Sequence, residues 1–328
     1  MSRLAVGPTR FLVLARITAV LVVANVATGA AVRLSGSGLG CPDWPTCAHQ
    51  RITPPLSLHP MIEFGNRMVV VVLVVACGAT LGAALVRRPR RRDLTWLAGG
   101  LVAGVVAEAV VGAIVVTSKL NPYVVAGHFM LGMVVLADAV LLVLRADHGP
   151  GRGTALVDRR ALVLARVFLV VVVAALVAGT GVTGSGPHAG GPGAKRIPMA
   201  LVTMARIHAE TVLTGGVILL ALLYVLWRTD APAKVQDRGR IVLAVMAAQG
   251  VIGYTQYFTH LPAVLVGVHV VGATVVVSAV LWLHHGLAAH TAELATEAKG
   301  TPGDTGRGRA AESGATVGVT HGAGGATA

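Results

Sequence analysis

The chain alternates long apolar runs with short polar breaks. Eight runs lie near residues 11–32, 61–86, 94–116, 124–145, 161–182, 200–226, 241–258 and 262–285. About 20 apolar residues in helical form cross a bilayer. In lipid each backbone N–H and C=O must be satisfied within its own segment, so the runs predict helices. The fold class expected is an all-α membrane protein of eight transmembrane helices. The first run is too long, and too well matched to a later one, to read as a cleaved signal peptide.

The pattern also repeats. RFLVLAR at Arg10–Arg16 is echoed by RALVLAR at Arg160–Arg166, and Gly36-Ser37-Gly38 by Gly184-Ser185-Gly186. Glu108, Gly112 and His128 are matched by Gln249, Gly253 and His269, each at an offset of 141 (249 − 108, 253 − 112, 269 − 128). Four helices per half is an even number, so both halves enter from the same side. The expectation is two parallel, pseudo-symmetric four-helix bundles related by an axis along the membrane normal. The chain then divides into an N-terminal segment 1–10, a first half 11–145 with a long loop 33–60, a linker 146–160, a second half 161–285 and a tail 286–328. The tail's shift to Gly, Ala, Thr and mixed charge reads as disorder.

Composition agrees: 328 residues, 55% hydrophobic, 12% charged, mean hydropathy +0.75. The net charge of +13 alone would suggest nucleic acid. Its placement excludes that. Arg3, Arg10, Arg87–Arg92, Arg145, Arg159, Arg160, Arg228, Lys234, Arg238 and Arg240 fall at alternate breaks, while the opposite breaks hold few cations. By the positive-inside rule both termini are cytoplasmic. The 33–60 loop is then outside, where a disulfide between Cys41 and Cys47 would survive. Cys77, within an apolar run, reads as a small core residue.

The candidate chemistry lies near the outer ends of the helices. His128, His208 and His269 each fall six to eight residues into a helix, roughly 10 Å deep at 1.5 Å per residue. The plain alternative is three hydrogen-bonded packing residues. Zinc would want cysteine or carboxylate partners at close spacing, and none appears. Haem wants axial histidines from facing helices and small residues where the ring passes, which Gly112, Gly127, Gly132, Gly253, Gly267 and Gly272 would supply. His208 and His269 would form a bis-histidine site. In the first half His128 has no matching histidine, because the counterpart of His208 is about Asn66. One turn before it stands Glu63, on the same face as Arg67. The plain reading is an ion pair anchoring a helix end. The sharper one is a carboxylate beside a reacting group, its ionisation set by Arg67 and burial. Glu108 and Arg206 are further candidates for polar contact with a haem. His49, His59, His188 and His260 read as solvated loop residues, and His284-His285 as a weak metal trap at the inner end.

Taken together, RLSGSGLGCPDWPTC at Arg33–Cys47, IEFGNR at Ile62–Arg67, His128, His208, Gln249-Gly250 with Gly253, and His269 resemble the haem A synthase family over roughly residues 10–285. The resemblance implies an oxidoreductase that converts a ring methyl of haem O to the formyl group of haem A. It implies a haem B cofactor on His208 and His269, substrate haem O near His128, Asn66 and Arg67, a catalytic Glu63, and a Cys41–Cys47 disulfide. It implies a bacterial plasma membrane, a haem O synthase (protohaem farnesyltransferase) and cytochrome c oxidase assembly as partners, and an unidentified electron carrier; a homo-oligomer is left open. Two departures stand out: Asn66 where the Glu-x-x-His-Arg motif has histidine, and Glu108-Ala109 where Gln-Gly is common. The alternatives are an electron-transfer membrane cytochrome and a haem-handling assembly factor or transporter.

Overall fold

The structure is a computed structural model that describes residues 5–48, 51–148 and 153–289. Eight helices long and apolar enough to cross a membrane account for most of the described residues. They are α1 (Pro8–Leu34), α2 (Leu58–Val86), α3 (Arg92–Thr117), α4 (Pro122–Asp147), α5 (Arg159–Ser185), α6 (Leu201–Arg228), α7 (Ala233–Phe258) and α8 (Ala263–Gly286). The seventh begins earlier than its apolar run because the polar turns of 233–240 continue the same hydrogen-bond ladder. Residues 290–328, with most of the tail, and His49 lie outside the described residues. Two short strands, β1 (Thr154–Ala155) and β2 (Ala288–Ala289), pair antiparallel and tie the linker to the end of α8.

Local chemistry explains the helix starts. Pro8 sits in the first turn of α1, where its missing N–H costs nothing. Asn121 and Asp158 cap α4 and α5 by accepting from Tyr123 N (3.0 Å) and Ala161 N (2.8 Å). The α3–α4 and α7–α8 turns are copies of each other. Lys119-Leu120 and His260-Leu261 both take left-handed backbone, and Leu120 N and Leu261 N return to Val115 O (2.9 Å) and Gln256 O (2.7 Å). The repeat is thus written in turn geometry as well as in helix sequence.

Packing follows the repeat. In the first half α1 meets α2, α2 meets α3, α3 meets α4, and α4 closes on α1; α5–α8 close in the same way. The halves join through α1·α8, α4·α5 and α4·α8. Exchanging each helix with its counterpart leaves this set unchanged, which is consistent with the expected two-fold arrangement. Two apolar cores fill the arginine-rich ends of the bundles. One is built on Phe11, Leu94, Leu101, Leu136 and Leu142, and includes buried Cys77; the other is built on Phe168, Leu219, Leu222 and Leu226. Between α1 and α2 the buried Thr18 and Thr80 hydroxyls bond at 2.8 Å. Thr80→Val is expected to lower the unfolding free energy in detergent by about 0.6 kcal/mol and at most about 1.7, since such bonds are worth little against a membrane-embedded reference state. A loss of several kcal/mol would contradict that.

The opposite ends are built differently. Along 173–183, 201–214, 243–258 and 263–273 not one residue is fully buried. These stretches belong to α5, α6, α7 and α8. They are where His208 and His269 lie.

Candidate functional site

Near the 33–60 loop, helix α2 opens on a clamp. Glu63 is 5% exposed, and its two carboxylate oxygens have separate partners. Oε1 accepts from Arg67 Nη2 at 2.8 Å, and Oε2 from the Cys41 backbone N–H at 2.8 Å. Arg67 donates onward to Thr46 O (2.7 Å), Cys41 O (3.1 Å) and Asp43 O (3.3 Å). Cys41 and Cys47 are joined by a disulfide, and both are buried. The i, i+4 spacing lets carboxylate and guanidinium share one helix face, and together they hold the disulfide loop as a lid on the first bundle. Gly40 makes the fit possible, for a side chain there would run into the His59 backbone at 2.5 Å.

Two loop histidines expected to be solvated are structural instead. His59 Nδ1 meets Ser37 Oγ at 2.9 Å, and His188 Nε2 meets Leu261 O at 2.8 Å. The second contact satisfies a carbonyl of the left-handed turn before α8. Arg33, in the last turn of α1, spans the two halves. Its Nε donates to His188 O (2.8 Å) and its Nη2 to Thr183 O (2.7 Å). Gly38 N donates to Gly190 O at 2.8 Å beside them. Gly190 takes φ +101° under the Leu120 side chain, which favours glycine.

His208 and His269 face each other across the second bundle. Their ring centroids are 6.3 Å apart at 80°. A metal held between two imidazoles needs about 6 Å, from two bonds of roughly 2 Å plus the ring half-widths. His208 Nδ1 lies 2.9 Å from Ala175 O, the contact that selects the Nδ1–H tautomer and leaves Nε2 as the ligating atom. Gln249 Nε2 donates to His269 O at 2.6 Å. Glycines seat both rings: a Cβ on Gly179 would lie 3.3 Å from His208 Cε1, and one on Gly253 3.1 Å from His269 Cε1. Two opposed imidazoles at this spacing, in a region where no residue is fully buried, fit a bis-histidine haem. Among the described residues no cluster of three or more His, Cys, Asp or Glu could hold a metal ion. His285, at the far end, stacks on His148 with centroids 4.7 Å apart.

The first bundle repeats this frame with other side chains. His128 lies over Gly112, where a Cβ would sit 3.6 Å from Nε2. Glu108 Oε2 stands 3.3 Å from His128 Nδ1, a contact the sequence reading had not specified. Asn66 Oδ1 accepts from Thr28 Oγ1 at 2.7 Å. No pattern in the sequence had singled out Thr28. Arg206 and Glu210, beside His208, are exposed.

Comparison with known proteins gives a consistent picture. The family described as cytochrome oxidase assembly protein matches residues 12–189. A protein named Heme A synthase from Geobacillus kaustophilus is 35% identical over 131 residues, 38% of this chain and 40% of the relative. Another of that name from Bacillus pumilus is 32% identical over 124 residues, 35% of this chain and 38% of the relative. A third, from Shewanella oneidensis, is 30% identical over 151 residues, 40% and 44%. The chain thus spans about 40% of the length of the curated relatives it matches.

Proposed function

We propose, from the premise that this chain belongs to the cytochrome oxidase assembly protein family, that it is a haem A synthase. It oxidises a ring methyl of haem O to the formyl group of haem A for terminal oxidase assembly. The observation that carries the reading is the opposed His208–His269 pair at 6.3 Å, at a bundle end where no residue is fully buried, repeated in outline around His128. In this reading each half is a unit, and the second holds a haem B cofactor on His208 and His269. Such a haem would supply one-electron transfer. The first half receives haem O against His128, between α2 and α4, with Asn66 and Arg67 along its wall.

Glu63 and Arg67 close the site through the disulfide loop and exclude bulk water from it. Glu63, held by Arg67 and the Cys41 N–H, retains lone pairs on both oxygens, enough to fix one water or accept a proton beside the reacting methyl. The arginine-rich breaks assign both termini to the cytoplasm of a bacterial plasma membrane. Haem O then arrives from a haem O synthase, an electron carrier serves the redox step, and a homo-oligomer is compatible with the apolar outer faces. A second reading, an electron-transfer cytochrome without haem O chemistry, is favoured by one observation: Asn66 replaces a ligand in the first half while the second half keeps both.

Co-expression with a haem O synthase, followed by chromatography and mass analysis of extracted haems, separates the two. Haem A is expected, absent without this gene, and reduced about 100-fold or more by Glu63→Gln if the carboxylate handles the proton. Unchanged haem O with a retained haem B would instead establish the cytochrome, and full haem A yield from Glu63→Gln would remove Glu63 from the chemistry.

A further inference from the structure

The two bundles can be compared seat by seat. The RFLVLAR/RALVLAR repeat matches Asn25, Thr28 and Gly29 with Ala175, Ala178 and Gly179, and the offset of 141 (269 − 128) matches His128 with His269. On the α4/α8 side the seats agree, for each histidine lies against its matched glycine, at 3.6 Å from Gly112 and 3.1 Å from Gly253. On the α2/α6 side they do not. A Cβ on Gly179 would meet the His208 ring at 3.3 Å, yet one on Gly29 would meet nothing within 4 Å. The volume that a ligating ring fills in the second half is open in the first.

Asn66 does not substitute for that ring. Of its two polar groups only the carbonyl oxygen has a lone pair to offer a metal, and that oxygen accepts the Thr28 hydroxyl at 2.7 Å. The second half has no such hydroxyl, because alanine stands at 178. The remaining NH2 is a donor and cannot ligate iron. It can hydrogen-bond to something that does.

The support behind His128 differs as well. In the second half Gln249 reaches past the ring to the His269 carbonyl. In the first, Glu108 Oε2 stands 3.3 Å from His128 Nδ1. The other Glu108 oxygen, Asn25 Oδ1 and His128 Nδ1 itself are buried and make no hydrogen bond among the described residues, so Glu108 approaches the ring without bonding to it. Glu108 and Asn25 line one cavity of about 10 Å³, room for a single water. A carboxylate behind a ligating imidazole fixes its orientation and makes it a stronger electron donor.

Resting on the reading that His128 holds a haem, we propose that the first-half site is one-sided. His128, with the Glu108 carboxylate 3.3 Å behind its Nδ1, is its sole protein ligand. The opposite face, bounded by Gly29, Thr28 and Asn66, is an open coordination position that takes a neutral diatomic of the O2 or CO class, with the Asn66 amide as hydrogen-bond donor. The bis-histidine site of the second half has no such position.

The test uses the purified full chain with its haems, reduced with dithionite and titrated with carbon monoxide. Wild type is expected to bind about one CO per two haems, because only one of the two irons has a free face. Asn66→His is expected to weaken CO binding at least about tenfold and turn that haem low-spin, by supplying the missing ring. Glu108→Gln is expected to keep the CO stoichiometry and move the C–O stretch to higher frequency, as the ring donates less to iron. The unreactive His208/His269 spectrum reports in each variant that the bundle is intact. A wild-type haem that is lost in His128→Ala, yet stays low-spin and takes no CO, overturns the proposal. Haem content unchanged in His128→Ala overturns the reading beneath it, and haem counting separates that outcome from the first.

Discussion

Replacing His269 with alanine is expected to strip the second half-bundle of its haem, with affinity falling about 100-fold or more. The His208–His269 spacing suits one metal between two rings, and each ring is seated by a glycine on the neighbouring helix. His208 is further fixed by its contact with Ala175 O, and the His269 backbone by Gln249. Losing either ring removes one of the two ligands on which this site rests. Gly253→Leu should mimic the loss without touching a ligand, since its Cβ alone would press on the His269 ring at 3.1 Å. Haem-to-protein ratios of the purified variants decide the matter. If His208→Ala and His269→Ala both retained full haem, the pair would be a packing contact after all.

Arg67→Ala is expected to be the most destabilising single change near the loop, by about 3–5 kcal/mol, the cost of leaving a buried carboxylate unpaired. Glu63 is 5% exposed, and its other partner is one backbone N–H. The same change removes the donor from the Thr46, Cys41 and Asp43 carbonyls, so the loop should detach from α2 as well as the protein melting earlier. Thermal unfolding in detergent and limited proteolysis between residues 39 and 47 would register both effects. The double variant Glu63→Ala/Arg67→Ala should recover part of the loss, because it removes the stranded charge. Equal melting of Arg67→Ala and wild type would mean that the loop is held by the disulfide and its own turns alone.

This clamp bears on how Glu63 is read. Its carboxylate is committed to Arg67 and to Cys41, so the anchoring role and the chemical role belong to one group. The sequence presented them as alternatives because i, i+4 spacing specifies only that the two side chains share a face. It carries no information about which loop folds down on that face.

Helix number, helix order and the internal repeat were legible from the chain. Hydrophobic runs of membrane length and positional matches are local or periodic properties, and a lipid environment leaves the backbone few alternatives. The candidate histidines were legible too, because an imidazole within an apolar run is costly unless it has a partner. Long-range partners were not. Thr28 with Asn66, His208 with the Ala175 carbonyl, and His59 with Ser37 join residues 22 to 38 positions apart, through ordinary side chains or backbone that no spacing rule selects. Arg33 reaches 155 positions to His188, so its bridging of the halves exists only once both loops are in place.

By itself, then, the sequence determined an eight-helix, two-part membrane bundle with three histidines at a common depth, since periodicity and the cost of burying polar groups act on each segment alone. Tertiary structure alone decided which of them face each other. It also decided that the carboxylate of Glu108 stands behind His128, and that the seat filled by His208 is open opposite Asn66. Those outcomes depend on the angle and distance between helices, which are set by packing at the far ends of the bundles, where Phe11 and Phe168 anchor the two cores.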